Sequence, residues 1–352
     1  MTLYCGIDLH STNSYVVVLD QEDRAVFDRR LPNELGIIVA ALEPFGSEIS
    51  GVVVESTYNW YWLVDGLVEA GWRVHLANTW ALKQYDGLKY GDDRSDAAFL
   101  ARTLRLGLLP EGYIYPKQAR PLRDLLRKRA HLVRQKTANL LSVQNLVARN
   151  TGRTPSGNRV KKLSAAEVVD LVGEGEVALA IGASLAVMGT LAEQIAAIEE
   201  VVLARARPAP AFKCLLSVPG IGRILGLTIL LETGEVGRFA GVGNFASYCR
   251  CVEAKRVSNG KRKGGGNRKC GNAYLAWAFV EAANFAIRYD PRAGRYHGRK
   301  KARTNGVIAI KAVAHKLACL RRSEASASRR QARACYYVMR DEVPFDSKRC
   351  FG

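Results

Sequence analysis

Apolar residues alternate or run together in short blocks over the first quarter of the chain, and these blocks predict β-strands. Three of them cover residues 4–8, 14–19 and 25–31, with short polar links between them. Links this short favour an antiparallel meander. Residues 51–55 are apolar at successive positions up to Glu55, which is typical of a strand buried in a parallel part of a sheet.

Apolar positions spaced three and four residues apart predict the helices that follow. They indicate helices over residues 34–45, 59–70 and 95–106, with a strand at 73–76 before the last of them. The resulting order is β-β-β-α-β-α-β-α. It is the order of the ribonuclease-H-like fold, to which the RuvC-type nucleases belong. Residues 1–112 are therefore predicted to form an α/β domain of this kind.

The pattern beyond residue 112 is mostly helical, so the predicted fold class is α/β followed by α. Two long amphipathic segments, near 122–147 and 184–206, predict an antiparallel helical arm within residues 113–210. Such an arm either pairs with a second protomer as a coiled coil or closes on itself as an intrachain hairpin. The pattern alone favours neither.

Residues 211–352 form the third predicted domain, in which residues 239–252 are expected to form a pair of helices. Here Pro219-Gly220-Ile221-Gly222 stands between two predicted helices, as in a helix-hairpin-helix. Glycines in such a turn let backbone N–H groups approach a phosphate at a helix N-terminus. Gly220 and Gly222 are therefore candidate nucleic-acid contacts, although the same turn also occurs as a purely structural element.

Charge is distributed unevenly along the chain, whose formal net charge is +19. Residues 1–100 hold 7 Lys/Arg against 15 Asp/Glu, whereas the remaining residues hold 45 against 18. A cationic surplus of this size predicts a polyanionic partner. The eight cysteines include no CxxC pair, which argues against a zinc site. The chain shows no signal peptide and no long apolar run, so a cytoplasmic protein with reduced thiols is expected.

Four carboxylates stand at positions that favour a shared site. Asp8 ends the first predicted strand and Glu55 the fourth, while Asp93 and Asp96 are three apart on a helix and so share one face. Ligands gather beyond the carboxyl ends of parallel strands. Because clustered carboxylates need a cation between them and Mg²⁺ prefers oxygen ligands, these four residues predict a Mg²⁺ site suited to phosphoryl transfer. The alternative for the helical pair is a solvated helix N-terminus, where Asp is favoured without metal.

A basic segment forms the second candidate site, with seven Lys/Arg and four Gly within residues 255–269. We expect this segment to be a loop, which cannot build a core but can wrap a phosphate backbone. The candidate nucleic-acid contacts in it are Lys255, Arg256, Lys261, Arg262, Lys263, Arg268 and Lys269. Ser258 precedes an Asn-Gly pair that turns tightly. Surrounding cations would stabilise the negative charge that develops when a serine oxygen attacks phosphorus, although the spacing alone is more typical of a turn serine.

Taken together, these motifs resemble the DEDD-type transposases of bacterial insertion sequences, the group numbered one-ten with its eleven-eleven branch. The matching motifs, which occur in the family's order, are Gly6-Ile-Asp8, Val54-Glu55-Ser56, Asp93-x-x-Asp96-Ala97-x-x-Leu100-Ala101, Val218-Pro-Gly-Ile-Gly222, the Ser258 segment and Gly271-Asn272-x-x-Leu275. Many members have Ser-Ser-Gly where this chain has Val257-Ser258-Asn259-Gly260, but Ser258 is the only serine in the segment.

The resemblance implies a RuvC-like metal site of Asp8, Glu55, Asp93 and Asp96, and a nucleophilic serine at Ser258. It also implies a structured bridge RNA as guide, a dimerising coiled-coil arm, and acids of one protomer that complement the serine of another. The expected location is the bacterial cytoplasm, in association with the nucleoid.

The predicted function is therefore a DNA transposase that cuts and rejoins DNA through a phosphoserine intermediate. A RuvC-like nuclease or resolvase, which would use metal-activated water and leave Ser258 as a turn residue, is the main alternative. A nucleic-acid-binding protein without catalytic activity is the third.

Overall fold

The computed structural model describes residues 1–82, 91–206, 209–253, 255–265, 270–319 and 335–351; within these ranges the side chains of residues 206, 255, 256, 262 and 349 are not described. The chain divides into two units, Met1–Lys117 and Gln118–Gly352. The division into three domains at residues 112 and 210 stays a prediction.

The first unit contains a mixed five-stranded sheet. Its strands are β1 (Leu3–Leu9), β2 (Asn13–Leu19), β3 (Ala25–Pro32), β4 (Ile49–Glu55) and β5 (Val74–Ala77). Their order across the sheet is β3-β2-β1-β4-β5. The pairs β1–β2 and β2–β3 are antiparallel, whereas β1–β4 and β4–β5 are parallel. The predicted meander and the predicted buried parallel strand are both confirmed.

Helices cover both faces of this sheet. They are α1 (Leu35–Leu42), which a 3-10 segment (Glu43–Glu48) continues, α2 (Tyr61–Glu69), the short α3 (Thr79–Leu82) and α4 (Asp93–Arg105). The predicted order of elements is confirmed, except that α3 is additional and α4 begins two residues earlier than predicted. The earlier start follows from a capping box, in which the Asp92 carboxylate accepts from the Ser95 N–H and the Ser95 hydroxyl accepts from the Asp92 N–H.

The alternation of side chains along a strand assigns the two faces. Cys5, Ile7 and Leu9 of β1 are fully buried or nearly so and belong to the core under α1 and α2. The even-numbered positions of β1 point the other way, towards α4, as Gly6 does. Asp8 therefore lies on the sheet face that α4 covers.

The first part of the second unit is a long helical hairpin, here called the arm. Its helices are α5 (Arg120–Thr151), the short α6 (Gly157–Val160), α7 (Ala165–Val172) and α8 (Glu176–Ala206). Helices α5 and α8 pack along each other. One small core joins α5 to α7 and α8 through Val143, Val168 and Ile181, and another joins Leu126 to Val202. The predicted long helical segments are confirmed, with α8 longer than expected.

The remainder of the second unit is mostly helical and has its own core. Its helices are α9 (Pro210–Leu215), α10 (Arg223–Thr233), a 3-10 turn (Val236–Arg238), α11 (Val242–Tyr248), α12 (Ala273–Tyr289), α13 (Pro291–Arg303), α14 (Gly306–Ala318), α15 (Cys335–Asp341) and α16 (Ser347–Phe351). Aromatic residues such as Phe245 and Phe279 are fully buried at its centre.

Two local predictions in this region were wrong. Residues 239–252, expected to form a pair of helices, contain the single helix α11. The basic segment, expected to be a loop, pairs over residues 255–265 as a two-stranded hairpin of β6 (Lys255–Ser258) and β7 (Lys261–Gly265). The hairpin forms because Asn259 and Gly260 both adopt positive φ, 50° and 69°, which is the backbone of a two-residue turn that matches the twist of paired strands.

Candidate active site

Two of the four predicted acids lie on adjacent parallel strands. Ile7 of β1 pairs with Val54 of β4, so Asp8 and Glu55, the residues that follow them, stand side by side at the carboxyl ends of their strands. Asp8 is only 4% exposed, and its carboxyl group is hydrogen-bonded to that of Glu55. Two carboxyl groups in such contact need a shared proton or a cation.

The other two acids reach this pair because α4 lies directly on β1. A Cβ atom at Gly6 would stand 2.0 Å from the carbonyl oxygen of Ala97 and 2.8 Å from the nitrogen of Ala101. Both alanines are fully buried. The absence of a side chain at Gly6 and the small ones on α4 therefore permit backbone contact, and this contact places the first turn of α4, with Asp93 and Asp96, over the end of β1.

The charges of the neighbouring acids affect the pKa values of Glu55 and Asp96. Burial, the hydrogen bond that the Glu55 carboxyl group donates to Asp8, and the charges of Asp8 and Asp96 together raise the pKa of Glu55 to about 8. Burial and the negative charges of Asp8, Asp92 and Asp93 raise the pKa of Asp96, against a smaller opposing effect of His10. Both pKa shifts include the effect of neighbouring carboxylates, so Glu55 and Asp96 lie near the other acids.

Two basic residues that the sequence did not suggest complete the cluster. The Nε2 atom of His10 lies 3.1 Å from Asp8 Oδ2 and 3.1 Å from Asp93 Oδ1. This nitrogen is shielded from solvent, yet it makes no well-aligned hydrogen bond. The Nη2 atom of Arg30, from β3, lies 2.6 Å from Asp93 Oδ2. The spacing Asp8-x-His10 could have indicated from the sequence that His10 belongs to the site. No sequence pattern connects Arg30 with Asp93.

Ser258 lies on the second unit, at the end of β6. It pairs across the tight turn with Lys261 of β7. The tip of the hairpin is exposed, as are Lys261 and Lys263, and the neighbouring Val257 is 58% exposed. Ser258 therefore lies at the exposed, positively charged tip of the hairpin, where a polyanion can approach it.

The two glycines of the predicted helix-hairpin-helix turn differ in their surroundings. Gly220 has φ +85°, and a Cβ there would stand 2.2 Å from the carbonyl oxygen of Ala282 on α12, so close packing explains this glycine. Gly222 is exposed, has no atom within 4 Å of its Cβ position, and stands as the N-cap of α10 without a side-chain cap. Of the two, only Gly222 leaves open space for a ligand.

Comparison with known families decides the identity of the chain. The model of the DEDD transposases of the IS110 type matches residues 5–149, and a second model, the transposase IS116/IS110/IS902 family, matches residues 212–298. The two matches cover most of the chain. The chain belongs to the IS110 family of transposases. As a transposase it binds, cleaves and rejoins DNA. No curated protein matches the chain.

The first match of this IS110-family transposase contains the acid cluster, and the second contains Ser258 and both glycines of the turn. DEDD transposases are typically metal-dependent, and the residues of the cluster fit a divalent cation. Asp8, His10 and Asp93 each offer a ligand atom, and these atoms lie within 4.8 Å of one another. Two carboxylates that approach one shielded His10 nitrogen, together with the raised carboxyl pKa values of Glu55 and Asp96, indicate crowded negative charge that a divalent cation would relieve.

The raised pKa of Glu55 leads to a pH-dependent prediction for this transposase. Because the native state keeps this proton up to about pH 8 and the unfolded chain loses it near the ordinary value of 4.5, unfolding becomes easier as the pH rises between these values. We expect the melting temperature of the metal-free protein to fall across this interval by more than that of Glu55→Gln. Thermal unfolding followed by circular dichroism tests this. Equal slopes for both proteins would contradict it.

The remaining sequence-predicted contacts can be placed only in part. Lys261 and Lys263 are exposed on β7. The side chains of Lys255, Arg256 and Arg262 lie outside the described residues, although their backbones form part of the hairpin, and Arg268 and Lys269 lie outside entirely. Their role as nucleic-acid contacts stays a prediction.

Proposed function

We propose that this transposase cuts and rejoins DNA through a covalent phosphoserine intermediate formed by Ser258, with a Mg²⁺ site of Asp8, Glu55, Asp93 and Asp96. The observation that carries the proposal is the position of Ser258 at the exposed tip of a basic hairpin. A serine that served only the turn would not need cations on the paired strand, because Asn259 and Gly260 alone supply the positive φ values of the turn.

The proposed reaction needs no external energy source, because each step forms one bond between phosphorus and oxygen and breaks another. The Ser258 oxygen forms a bond to a backbone phosphorus, its proton leaves to a base, and the bond from phosphorus to one strand oxygen breaks; the departing oxygen takes up a proton. Rejoining reverses these changes, with a strand hydroxyl as the attacking group. Lys261, paired with Ser258, and Lys263 on the same strand supply positive charge near the developing phosphorane. A Mg²⁺ ion held by the four acids would supply Lewis acidity for phosphoryl transfer.

The acids and the serine belong to different units, so the proposed reaction requires them to meet. The family resemblance implies that they meet between protomers. The arm supports this, because it leaves large apolar side chains exposed: Leu141 is 51% exposed, Leu179 74% and Val187 47%. The segment Glu176–Arg205 is also, among the described residues, apolar and long enough to cross a membrane by length and composition, with 17% of its most apolar window buried. We propose that a second copy of the chain covers these side chains.

A structured guide RNA, implied by the resemblance, is proposed as a second nucleic-acid partner beside the DNA. The excess of Lys/Arg beyond residue 100 extends over a longer stretch than a short duplex contact requires. Bound in the bacterial cytoplasm, such a complex would associate with the nucleoid. Sequencing the nucleic acid that copurifies with the protein tests the guide, and material that resists ribonuclease would contradict it.

The second candidate is a RuvC-like nuclease that uses metal-activated water. The position of all four acids within the first unit favours it, since such a site needs no serine. Both candidates need the acids, so Asp93→Asn is expected to be inactive under either and does not separate them.

Ser258→Ala separates the two candidates. We expect this variant to form no covalent protein–DNA adduct in a denaturing gel and to lose strand cleavage, while it binds DNA as the wild type does. Ser247→Ala is the matched control, because Ser247 is an exposed serine on α11, outside the hairpin, and should leave the adduct unchanged. If Ser258→Ala still cleaves DNA but forms no adduct, the result favours the nuclease. If Ser258→Ala still forms the adduct, Ser258 is excluded as the nucleophile.

A further inference from the structure

A buried carboxylate lies where the arm meets α12. Glu232, on α10, is 2% exposed. Its Oε1 accepts from Arg127 Nε at 2.5 Å, and its Oε2 accepts from Arg127 Nη2 at 2.8 Å and from Arg123 Nε at 3.1 Å. Both arginines belong to α5. Burial alone would raise the pKa of Glu232, but the hydrogen bond and charges of the arginines and a hydrogen bond from Asn272 outweigh it and hold the pKa below its usual value.

Asn272 connects this carboxylate to the start of α12. Its Nδ2 donates to Glu232 Oε2 at 2.7 Å. Its Oδ1 accepts from the N–H groups of Tyr274 and Leu275 and so caps the helix. Arg127 also lies over the ring of Tyr274, 4.6 Å from the centroid. The arm and the first turn of α12 are thus tied to the same carboxylate.

The chain segment that precedes Asn272 is the one that carries Ser258. It leaves α11 at Tyr248 and returns at Gly271. The two ends close on each other, since the Asn272 N–H donates to the Tyr248 carbonyl at 2.6 Å. The Arg250 guanidinium also donates twice to the Gly271 carbonyl, at 3.1 and 2.8 Å. Tyr248, Arg250, Gly271 and Asn272 are called the root of the hairpin here.

Within the part of the chain that the structure describes, no further strand supports the hairpin beyond this root. Among the described residues, β6 and β7 pair only with each other, in a two-stranded sheet. An isolated hairpin of two strands is marginally stable in water. The root lies at the base of the segment that carries Ser258, and Asn272 connects the root to Glu232.

We propose that Glu232 is a positioning residue that ties the root of the Ser258 hairpin to helix α5 of the arm. In this arrangement the position of the arm sets the position of the hairpin, since both arginines of α5 and the amide of Asn272 share one carboxylate. The consequence for catalysis rests on the proposed role of Ser258; the mechanical link does not. The competing explanation is that Glu232 only stabilises the interior of the second unit.

Three variants separate the two explanations. Glu232→Gln keeps the shape but removes the charge. Asn272→Asp keeps the acceptor that caps α12, but it loses the donor to Glu232 and places a second negative charge beside it. The double variant exchanges the carboxylate and the amide, so the new amide at position 232 can donate to the new carboxylate at position 272, while Arg123 and Arg127 lose the acceptor at Oε2. Glu199→Gln is the matched control. Glu199 is the carboxylate partner of Arg129, another arginine of α5, and this pair does not involve the root.

Tryptic cleavage after Lys261 and Lys263 measures the order of the hairpin without reference to its chemistry. We expect about tenfold faster cleavage in Glu232→Gln and in Asn272→Asp, in line with a lost hydrogen bond to a charged group. We expect a rate within about twofold of the wild type in Glu199→Gln, and a rate between those of the single variants and the wild type in the double variant. Melting temperatures, recorded in parallel, show whether each change is confined to the hairpin.

Several results would overturn the proposal. It fails if Asn272→Asp is cut at the wild-type rate, or if the double variant is cut as fast as the single ones. If Glu232→Gln does not fold, Asn272→Asp and the double variant still decide. Adduct formation is measured in the same proteins. If trypsin cuts the wild type slowly but the wild type forms no covalent adduct with DNA, the role of Ser258 is refuted and the link between Glu232 and the root stands. If Glu232→Gln forms the adduct and is cut at the wild-type rate, only the link is refuted.

Discussion

Gly6→Ala is expected to destabilise the protein by about 3 kcal/mol, because the new methyl group overlaps the backbone of α4 and neither element can yield freely. The Cβ would stand 2.0 Å from the Ala97 carbonyl oxygen, a separation that no rotamer change relieves. Helix α4 must move away from β1. Because that helix carries Asp93 and Asp96, we also expect the variant to lose binding of Mg²⁺ at the acid cluster, as measured by titration calorimetry.

Gly36→Ala is the matched control for this change. Gly36 lies on α1 in the same unit, and a Cβ there meets no atom within 4 Å. Alanine at this position should be neutral or stabilise the helix by up to about 1 kcal/mol. Chemical denaturation of both variants gives the comparison. If Gly6→Ala unfolds like Gly36→Ala and still binds Mg²⁺, the close contact between β1 and α4 is not what holds the acids together.

Much of the acid cluster follows from short-range rules. The alternation of side chains places Gly6 and Asp8 on one face of β1, and the parallel pairing of β1 with β4 places Glu55 beside Asp8. The three-residue spacing of Asp93 and Asp96 puts both on one turn of α4. These relations need only a strand, a neighbouring parallel strand and a helix, which the apolar pattern predicts.

Other parts of the site depend on tertiary contacts that no local pattern contains. Arg30 meets Asp93 across 63 positions of the chain, and Arg127 meets Glu232 across 105. Such pairs form only when packing brings distant segments together. The hairpin of Ser258 shows a different limit: its Asn-Gly turn was evident, but a strand rich in Lys, Arg and Gly lacks the apolar alternation by which strands are recognised.

Gly220→Ala is expected to destabilise the second unit by about 4 kcal/mol, the sum of two separate costs. An alanine held at a positive φ costs about 1 kcal/mol. Its methyl group would also stand 2.2 Å from the Ala282 carbonyl oxygen and 2.7 Å from the Ala286 nitrogen, both on α12, and overlap of this kind adds about 3 kcal/mol. Chemical denaturation measures the loss. A variant as stable as the wild type would show that the turn does not rest on α12.

Gly222→Ala tests whether the same turn also holds nucleic acid. At this position φ is −83° and the Cβ position is open, so the substitution should leave stability within about 0.5 kcal/mol of the wild type. If the exposed N-terminus of α10 approaches a phosphate, the added methyl group should weaken DNA binding several-fold, as followed by fluorescence anisotropy at fixed salt. Unchanged binding in Gly222→Ala, together with the loss of stability in Gly220→Ala, would make this Pro-Gly-Ile-Gly turn a packing element alone, because then neither glycine would serve a ligand.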